Sequence, residues 1–470
     1  MSAETGLQEI RKLLGSSGVI DNPAEMQPYL VSWRNSWEGK TPFIARPADT
    51  VQLSEIIKIC RREKIPVVPQ GGNTGLVGGA VPSPQGDQLV VSLSRMNKIR
   101  ALDPVGAVVT VEAGVVLQTL QDEADKAGFL FPLSMSSEGS AQIGGTISTN
   151  AGGTAVLRYG NMRELVLGLE AVLPDGEILS NLKSLPKDNT GYNLNHILVG
   201  AEGTLGIVTA ATLKLFPRLN QTVTGMAAIA SVEAAMELFH DFRAECAEYL
   251  SAFEVISLPA LRLVVKHIPG ARFPSADDAP YYVLIELGSA SSSMPLRDMF
   301  EAVVSRAMDE GKLLDAVIAE NSTQAQQLWS LRENASEALR KEGPGLHFDI
   351  SLPLAEIAGF LQKTDPLVLA AAPKILIAPF GHIGDGNIHY NMCLPNETTA
   401  AMSQTKKRIR EIVYSEVTKL HGSISAEHGI GVERKAELKL YKSPVALATM
   451  RKLKQAFDPE NLMNPGKIFD

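Results

Sequence analysis

Pro69-Gln-Gly-Gly-Asn-Thr-Gly-Leu-Val-Gly-Gly79 follows the apolar residues Ile65, Val67 and Val68. Clustered glycines permit positive φ, so successive backbone N–H groups can turn to one side and form an anion nest. The run has no lysine and lacks the Gly-Lys-Ser/Thr ending of a P-loop. No Gly-x-Gly-x-x-Gly follows the first strand, so a nicotinamide-binding Rossmann unit is unsupported. A loop of neutral donors suits a pyrophosphate held by main-chain amides. One such loop alone is as readily a set of tight turns. Two further glycine-dense runs follow, across 139–160 and at Gly200-Ala-Glu-Gly-Thr-Leu-Gly206. With Ser, Thr and Asn among them, the three read as walls of one large dinucleotide site.

The flanking pattern predicts a helix from 51 running into a short strand before residue 69. Strands are predicted at 89–93 and 108–111, and a helix over 117–127. Apolar residues alternate over 165–173 and 177–179 around Asp175-Gly176, which is a hairpin signal. The third glycine run leads into the β-branched 207–209 and a strand ending near Pro217. The texture changes near 218–224, after which helical periods alternate with β-rich runs such as 281–287 and 374–378. The expected division is therefore 1–220, 221–455, and a turn-rich tail over 456–470 that packs back on the first domain.

The chain has 470 residues, 45% of them apolar and 20% charged, as in an ordinary globular protein with a large core. A net charge of −8 leaves no basic excess for replacing the counterions of a nucleic acid. Residues 1–14 read as a polar amphipathic helix rather than a signal peptide. No run approaches the ~18 apolar residues of a membrane span. Cys60, Cys246 and Cys393 are too far apart for a metal motif and fit a reducing compartment. The expectation is a cytoplasmic protein without an integral membrane segment or a nucleic-acid partner.

Imidazoles and carboxylates concentrate in His382-Ile-Gly-Asp-Gly-Asn-Ile-His389 and Ser425-Ala-Glu-His-Gly-Ile-Gly431. His389 and Asn391, two apart, face one side of a strand, and His382 can return to that side across the Gly-Asp-Gly turn. Glu427 and His428 point opposite ways in an extended chain, and Gly429 permits the turn that lets both face one cavity. The hypothesis is that His382, His389 and Glu427 bind a divalent metal while His428 moves a proton. Three protein ligands leave a coordination position open, as in catalytic sites. Zinc suits these donors, and manganese or iron suits them by type as well. Asp385 between two glycines reads as a turn residue, and His421 before Gly422 as a helix C-terminal residue. A metallohydrolase could use the same ligand set.

Helical spacing over 328–339 puts Arg332 and Ser336 four apart and on one face. A guanidinium beside a hydroxyl suits a bidentate carboxylate contact. An equal reading is a surface helix pairing Arg332 with Glu333 or Glu337.

The three glycine runs, Arg158-Tyr-Gly160 and Glu202-Gly-Thr-Leu-Gly-Ile207 together resemble the FAD domain of the vanillyl-alcohol oxidase superfamily. Lys187-Asp-Asn-Thr-Gly-Tyr192, the two histidine runs and Asn464-Pro-Gly-Lys467 narrow the resemblance to its FAD-linked D-2-hydroxyacid dehydrogenases, with D-2-hydroxyglutarate the nearest substrate. The implied fold is α+β: a two-part FAD-binding domain plus an α+β substrate (cap) domain with an antiparallel sheet. The resemblance implies that Gln70, Gly71, Gly72, Asn73, Thr74, Gly75 and Leu76 hold the pyrophosphate. It implies that Ser140, Gly144, Gly145, Asn150, Gly153, Gly203, Gly206 and Ile207 line the rest of the cofactor. The first loop has no histidine to tether the flavin, so FAD is expected to be non-covalent. Arg332, Ser336, His347 and Asn391 are expected to hold the substrate carboxylates. Two positions depart from the family pattern: Ser336 stands where threonine is usual and His347 where lysine is common. The expected reaction moves the C2 hydride to flavin N5 and the hydroxyl proton to His428, with zinc as Lewis acid. Electrons then leave to an electron-transfer flavoprotein or a quinone; a homodimer stays open. A non-catalytic FAD-binding subunit is the other rival, and the Glu427-His428 pair counts against it.

Overall fold

The computed structural model describes residues 3–274, 278–395 and 397–470. It is an α+β chain that divides into two compact units. The first contains 1–153, 160–218 and 427–470; the second contains 154–159 and 219–426.

In the first unit, helix Thr50–Glu63 forms because Leu53, Ile56, Ile57 and Cys60 fall on one buried face at i, i+3, i+4 and i+7. Asp49 starts it by accepting the Gln52 N–H at 2.8 Å. Lys64 ends it in the left-handed conformation, φ 55°. The helix covers a small sheet in which Ile44–Ala45 and Val67–Gln70 both run parallel to Leu89–Ser92. Leu89, Val90 and Val91 are fully buried, as expected of a parallel strand covered on both faces. Burial also pushes the Cys60 thiol up to about 12, so it is inert packing. The glycine loop starts at Gln70, the carboxyl end of its strand, where open parallel sheets bind ligands.

The second sheet of this unit is antiparallel, in the order Ile99–Asp103, Val108–Glu112, Ile207–Lys214, Val166–Val172, Ile178–Asn181. The predicted hairpin is present: Val172 pairs with Ile178, Gly176 has φ 87°, and Asp175 Oδ1 accepts the Glu177 N–H at 3.0 Å.

The second unit is built on a seven-stranded sheet whose ladders are all antiparallel. Helices Val232–Cys246 and Leu296–Asp309 bring Phe239, Phe242 and Phe300 into an aromatic layer with Phe253. The other face carries Leu258–His267, Ser322–Glu333 and Ala335–Glu342 over Ile256, Leu284 and Phe380. Every residue of strand Leu250–Ser257 is buried, so its one carboxylate, Glu254, needs compensating partners.

The main boundary falls between Arg218 and Leu219, but the chain rejoins the first unit at Glu427 rather than near 456. Hydrogen bonds explain the early return. Val77 carbonyl oxygen accepts the Val432 N–H at 2.9 Å, and Asn464 N–H reaches the Val67 carbonyl at 2.8 Å. Both ends of the returning segment are thereby stapled to strand Val67–Gln70 and its glycine loop.

Candidate functional site

The three glycine loops meet within the first unit, and their glycines fall into two kinds. A β-carbon on Gly72 would stand 1.9 Å from the Ser140 carbonyl oxygen, and one on Gly203 would stand 2.5 Å from Pro69 Cγ. On Gly153 it would lie 2.0 Å from the Ser134 carbonyl, and on Gly144 it would lie 2.7 Å from Ala113 Cβ. Gly206 similarly abuts the Val172 carbonyl at 3.1 Å, just before Ile207 opens its strand. Gly72, Gly144, Gly153 and Gly203 are required by the protein's own packing, and Gly206 is tightly packed. Gly75 and Gly145 differ: a β-carbon on either would meet nothing within 4 Å. Space not filled by the protein is thus found at Gly75 in the first loop and Gly145 in the second.

Polar side chains hold these loops in shape. Gln70 donates Nε2 to the carbonyls of Tyr29 and Ala80, at 2.9 and 2.7 Å. Asn73, at φ 52°, donates Nδ2 to Pro28 and Val31. Asn150, at φ 51°, accepts the Arg163 N–H at 2.9 Å. Gly71 lies against the Gln142 side chain. Thr74 and Leu76 are half-buried and Ser140 is exposed. Gln70 Oε1 and Gln142 Oε1 are buried acceptors without a hydrogen-bond partner. A ligand carrying hydroxyl and N–H donors satisfies such groups. Amide-rich loops, open glycines and orphaned acceptors fit a flavin dinucleotide.

The returning segment places the Glu427-His428 pair next to a turn that the third glycine loop holds. Glu202 accepts the N–H groups of Ile430 and Gly431 at 2.8 and 2.7 Å. Gly429 has φ 78°, the turn its position predicted, and a β-carbon there would come 2.8 Å from Glu202 Oε1. Burial raises the Glu202 carboxyl, against the two N–H donors and the nearby Arg434 and Lys467. Asn464 donates to the carbonyls of Gly79 and Glu202 at 2.9 and 2.8 Å. Lys467 donates to the Val81 carbonyl at 2.8 Å. Glu427 and His428 are half-buried.

In the second unit, His382 and His389 come together as the Gly-Asp-Gly turn suggested, with ring centroids 5.3 Å apart. Asp385 does serve the turn: its Oδ1 accepts the Asn387 N–H at 3.1 Å, and Gly386 follows at φ 86°. Burial pushes its carboxyl up to about 6. The central group is one that sequence reasoning missed. Glu254, 1% exposed, accepts from Arg332 Nε through Oε2 at 2.7 Å. Its Oε1 lies 2.6 Å from His382 Nδ1. Burial acts to raise Glu254, yet His382 and Arg332 together hold it below the usual carboxylate range. A lone glutamate in the apolar run 250–257 was the available signal.

Two spacing arguments fail. Arg332 and Ser336 do not share a face, because the helix breaks at Asn334 between Ser322–Glu333 and Ala335–Glu342. Asn334 Nδ2 turns back onto the Ser330 carbonyl at 2.8 Å, leaving Arg332 buried and Ser336 exposed. Arg332 is not a surface ion-pair residue either, since its salt bridge is the buried one to Glu254. His389 and Asn391 do not continue one strand. The Asn391 N–H closes onto the His389 carbonyl at 2.8 Å, so strand Asn387–His389 ends and Met392–Cys393 joins another sheet. Asn391 Oδ1 accepts the Phe348 N–H at 3.2 Å, which ties it beside His347. Its Nδ2 makes no hydrogen bond among the described residues. His347 is half-buried, and His421 sits just past helix Thr399–Lys419 at φ 58°.

Asp349, opposite His389 in the ladder, accepts the Ala426 N–H on its carbonyl at 3.1 Å and Asn387 Nδ2 on its carboxylate at 3.0 Å. Glu427 is the next residue after Ala426, so its Cα lies ~3.8 Å further along the chain.

Residues 218–468 match the family described as FAD linked oxidases, C-terminal domain, and 41–181 match an FAD binding domain. The chain is 36% identical over 458 residues to the mitochondrial D-2-hydroxyglutarate dehydrogenase of Arabidopsis thaliana, covering 97% of this chain and 80% of that protein. It is 37% identical over 449 residues to the D-2-hydroxyglutarate dehydrogenase of Xanthomonas citri pv. viticola, covering 95% and 93%. A putative mitochondrial D-lactate dehydrogenase of Schizosaccharomyces pombe is 36% identical, covering 99% and 90%. Among solved structures, substrate-bound p-cresol methylhydroxylase gives a TM-score of 0.78 at 16% identity, over 99% of this chain and 97% of that one. The 4-ethylphenol oxidase of Gulosibacter chungangensis gives 0.73 at 17% identity, over 100% and 98%. At these identities the two structures speak for the fold.

Proposed function

This chain belongs to the FAD-linked oxidases, and on that premise we propose that it oxidises a D-2-hydroxyacid to the 2-oxoacid, with D-2-hydroxyglutarate preferred. The observation that carries the reading is the Glu254-centred cluster. It sets an imidazole suited to a metal and a guanidinium suited to a carboxylate on one buried group. The whole-length similarity to D-2-hydroxyacid dehydrogenases supports the same conclusion.

Flavin in the glycine loops supplies a hydride acceptor at N5, and a divalent ion, zinc in this proposal, supplies Lewis acidity at the substrate hydroxyl. His382, His389 and Glu427 are the ligands. Arg332 has its Nε committed to Glu254, and its terminal nitrogens carry no other hydrogen bond among the described residues. That planar end is left for a substrate carboxylate. Asn391 Nδ2 and His347 complete the carboxylate contacts, whereas the exposed Ser336 is left out of them. His428 takes the hydroxyl proton, a role imidazole fills well near neutral pH. Loss of the C2 hydride and of the hydroxyl proton leaves the carbonyl, and a bound flavin would supply the two-electron acceptor. An electron-transfer flavoprotein or a quinone would take the electrons on. The proposal includes non-covalent FAD and a cytoplasmic location. Among the described residues no helix is long and apolar enough to cross a membrane.

A second reading keeps the chemistry and changes the substrate to D-lactate or D-malate. His347 favours it, because a histidine stands where a permanent charge would grip a second carboxylate. Metal analysis and a substrate panel separate these possibilities. Purified protein should carry one divalent ion, lose flavin reduction on chelation, and regain it with zinc. Full reduction by substrate in metal-stripped protein rules out the metal role.

A further inference from the structure

We propose that Glu254 is a positioning residue that couples the metal ligand His382 to the substrate arginine Arg332. The inference rests on the reading above and names a control point within it. Glu254 is buried in a strand whose other side chains are apolar or small, so its charge is retained only because partners offset the cost of desolvation. It accepts both strong donors within reach, one on each oxygen.

Each bond decides the state of its partner. A carboxylate oxygen at Nδ1 of His382 favours the proton on that nitrogen, the tautomer in which Nε2 is the metal-binding one. Carboxylates behind metal-bound histidines act this way, orienting the ring and raising its basicity. With Oε2 at Nε, Arg332 is held through that nitrogen, which leaves its two terminal nitrogens for a carboxylate. The Phe380 ring lies 4.9 Å from the guanidinium carbon and limits its rotation. Electron density drawn from one oxygen by a metal-loaded His382 weakens the acceptor facing Arg332. A carboxylate that draws Arg332 away alters the hold on His382. Coupling between two ligands through one group is reciprocal. Metal occupancy and carboxylate binding are thus linked through Glu254, in addition to any direct contact between ion and substrate.

The test uses flavin-loaded, full-length protein, with zinc affinity measured by chelator competition in the absence of substrate. Wild-type protein that binds no zinc contradicts the underlying metal reading, and this is seen before any variant is made. Given zinc binding, Glu254→Gln is expected to weaken it 10–100-fold, the usual range for such outer partners. KM for the hydroxyacid should also rise at least tenfold, while flavin content is kept. Glu254→Asp should recover part of both losses and serves if the glutamine variant does not fold. Arg332→Lys touches no metal ligand, so a several-fold change in its zinc affinity supports coupling through Glu254. Folded Glu254 variants with unchanged zinc affinity, or an Arg332→Lys protein that binds zinc as wild type does, overturn the proposal.

Discussion

Glu202 Oε2 accepts the backbone N–H of Gly431 at 2.7 Å, and Oε1 of the same side chain accepts that of Ile430. One carboxylate of the third glycine loop thus shapes the turn that follows the Glu427-His428 pair. Alanine at 202 removes two charge-assisted hydrogen bonds, each worth ~1.5–3 kcal/mol. Glu202→Ala should lower the melting temperature. It should also slow flavin reduction by substrate more than tenfold in protein that still binds flavin. Rapid-mixing absorbance checks it, and an unchanged reduction rate contradicts the role.

The two kinds of glycine make opposite predictions for one added methyl group. Gly72→Ala forces a β-carbon onto the Ser140 carbonyl and should impair folding. Gly75→Ala meets no protein atom, so the apoprotein should fold with a near-normal melting temperature yet bind FAD at least tenfold more weakly. Titration of apoprotein with FAD, followed by flavin fluorescence, distinguishes them.

Lys467 gives a pH signature. Burial lowers its amine to about 8, with Lys435 acting in the same direction and Glu202 opposing. Below pH 8 the amine is charged in both states, and the folded state bears the full penalty. Between about 8 and the unfolded value of ~10.4 the unfolded chain holds the extra proton, so stability rises with pH. Lys467→Met should remove that rise. Denaturant melts at pH 7.5 and 9 measure it: the wild type should gain relative to the variant, and parallel slopes would refute the assignment.

His347 governs selectivity between one and two carboxylates in this account. His347→Lys should lower KM for D-2-hydroxyglutarate several-fold and leave D-lactate nearly unchanged. Steady-state kinetics with both substrates decide it. An equal effect on both would show that position 347 does not meet the second carboxylate.

Much of the fold was legible because its signals are local. Asp175-Gly176 between alternating runs set the hairpin, and four apolar residues at helical spacing set Thr50–Glu63. The pairing of His382 with His389 was legible too, since a short glycine turn joins them. What failed was extrapolation of periodicity across a break. Asn334 ends one helix by back-bonding to Ser330, and a tight turn at Asn391 ends a strand, and neither interruption is marked by proline or glycine. Glu254 was missed because its partners lie 78 and 128 residues away, beyond any spacing rule. The glycine pattern likewise announced a cradle but could not show which glycines the protein itself fills.

The most direct measurement is anaerobic mixing of the purified yellow protein with D-2-hydroxyglutarate, watching the visible flavin band. The account predicts rapid bleaching by the D enantiomer and none by the L enantiomer. It also predicts a His428→Asn protein that keeps FAD and metal but bleaches at least a hundredfold more slowly, in line with loss of a general base. A flavin band untouched by D-2-hydroxyglutarate, D-malate and D-lactate, or full-speed bleaching in His428→Asn, would contradict it.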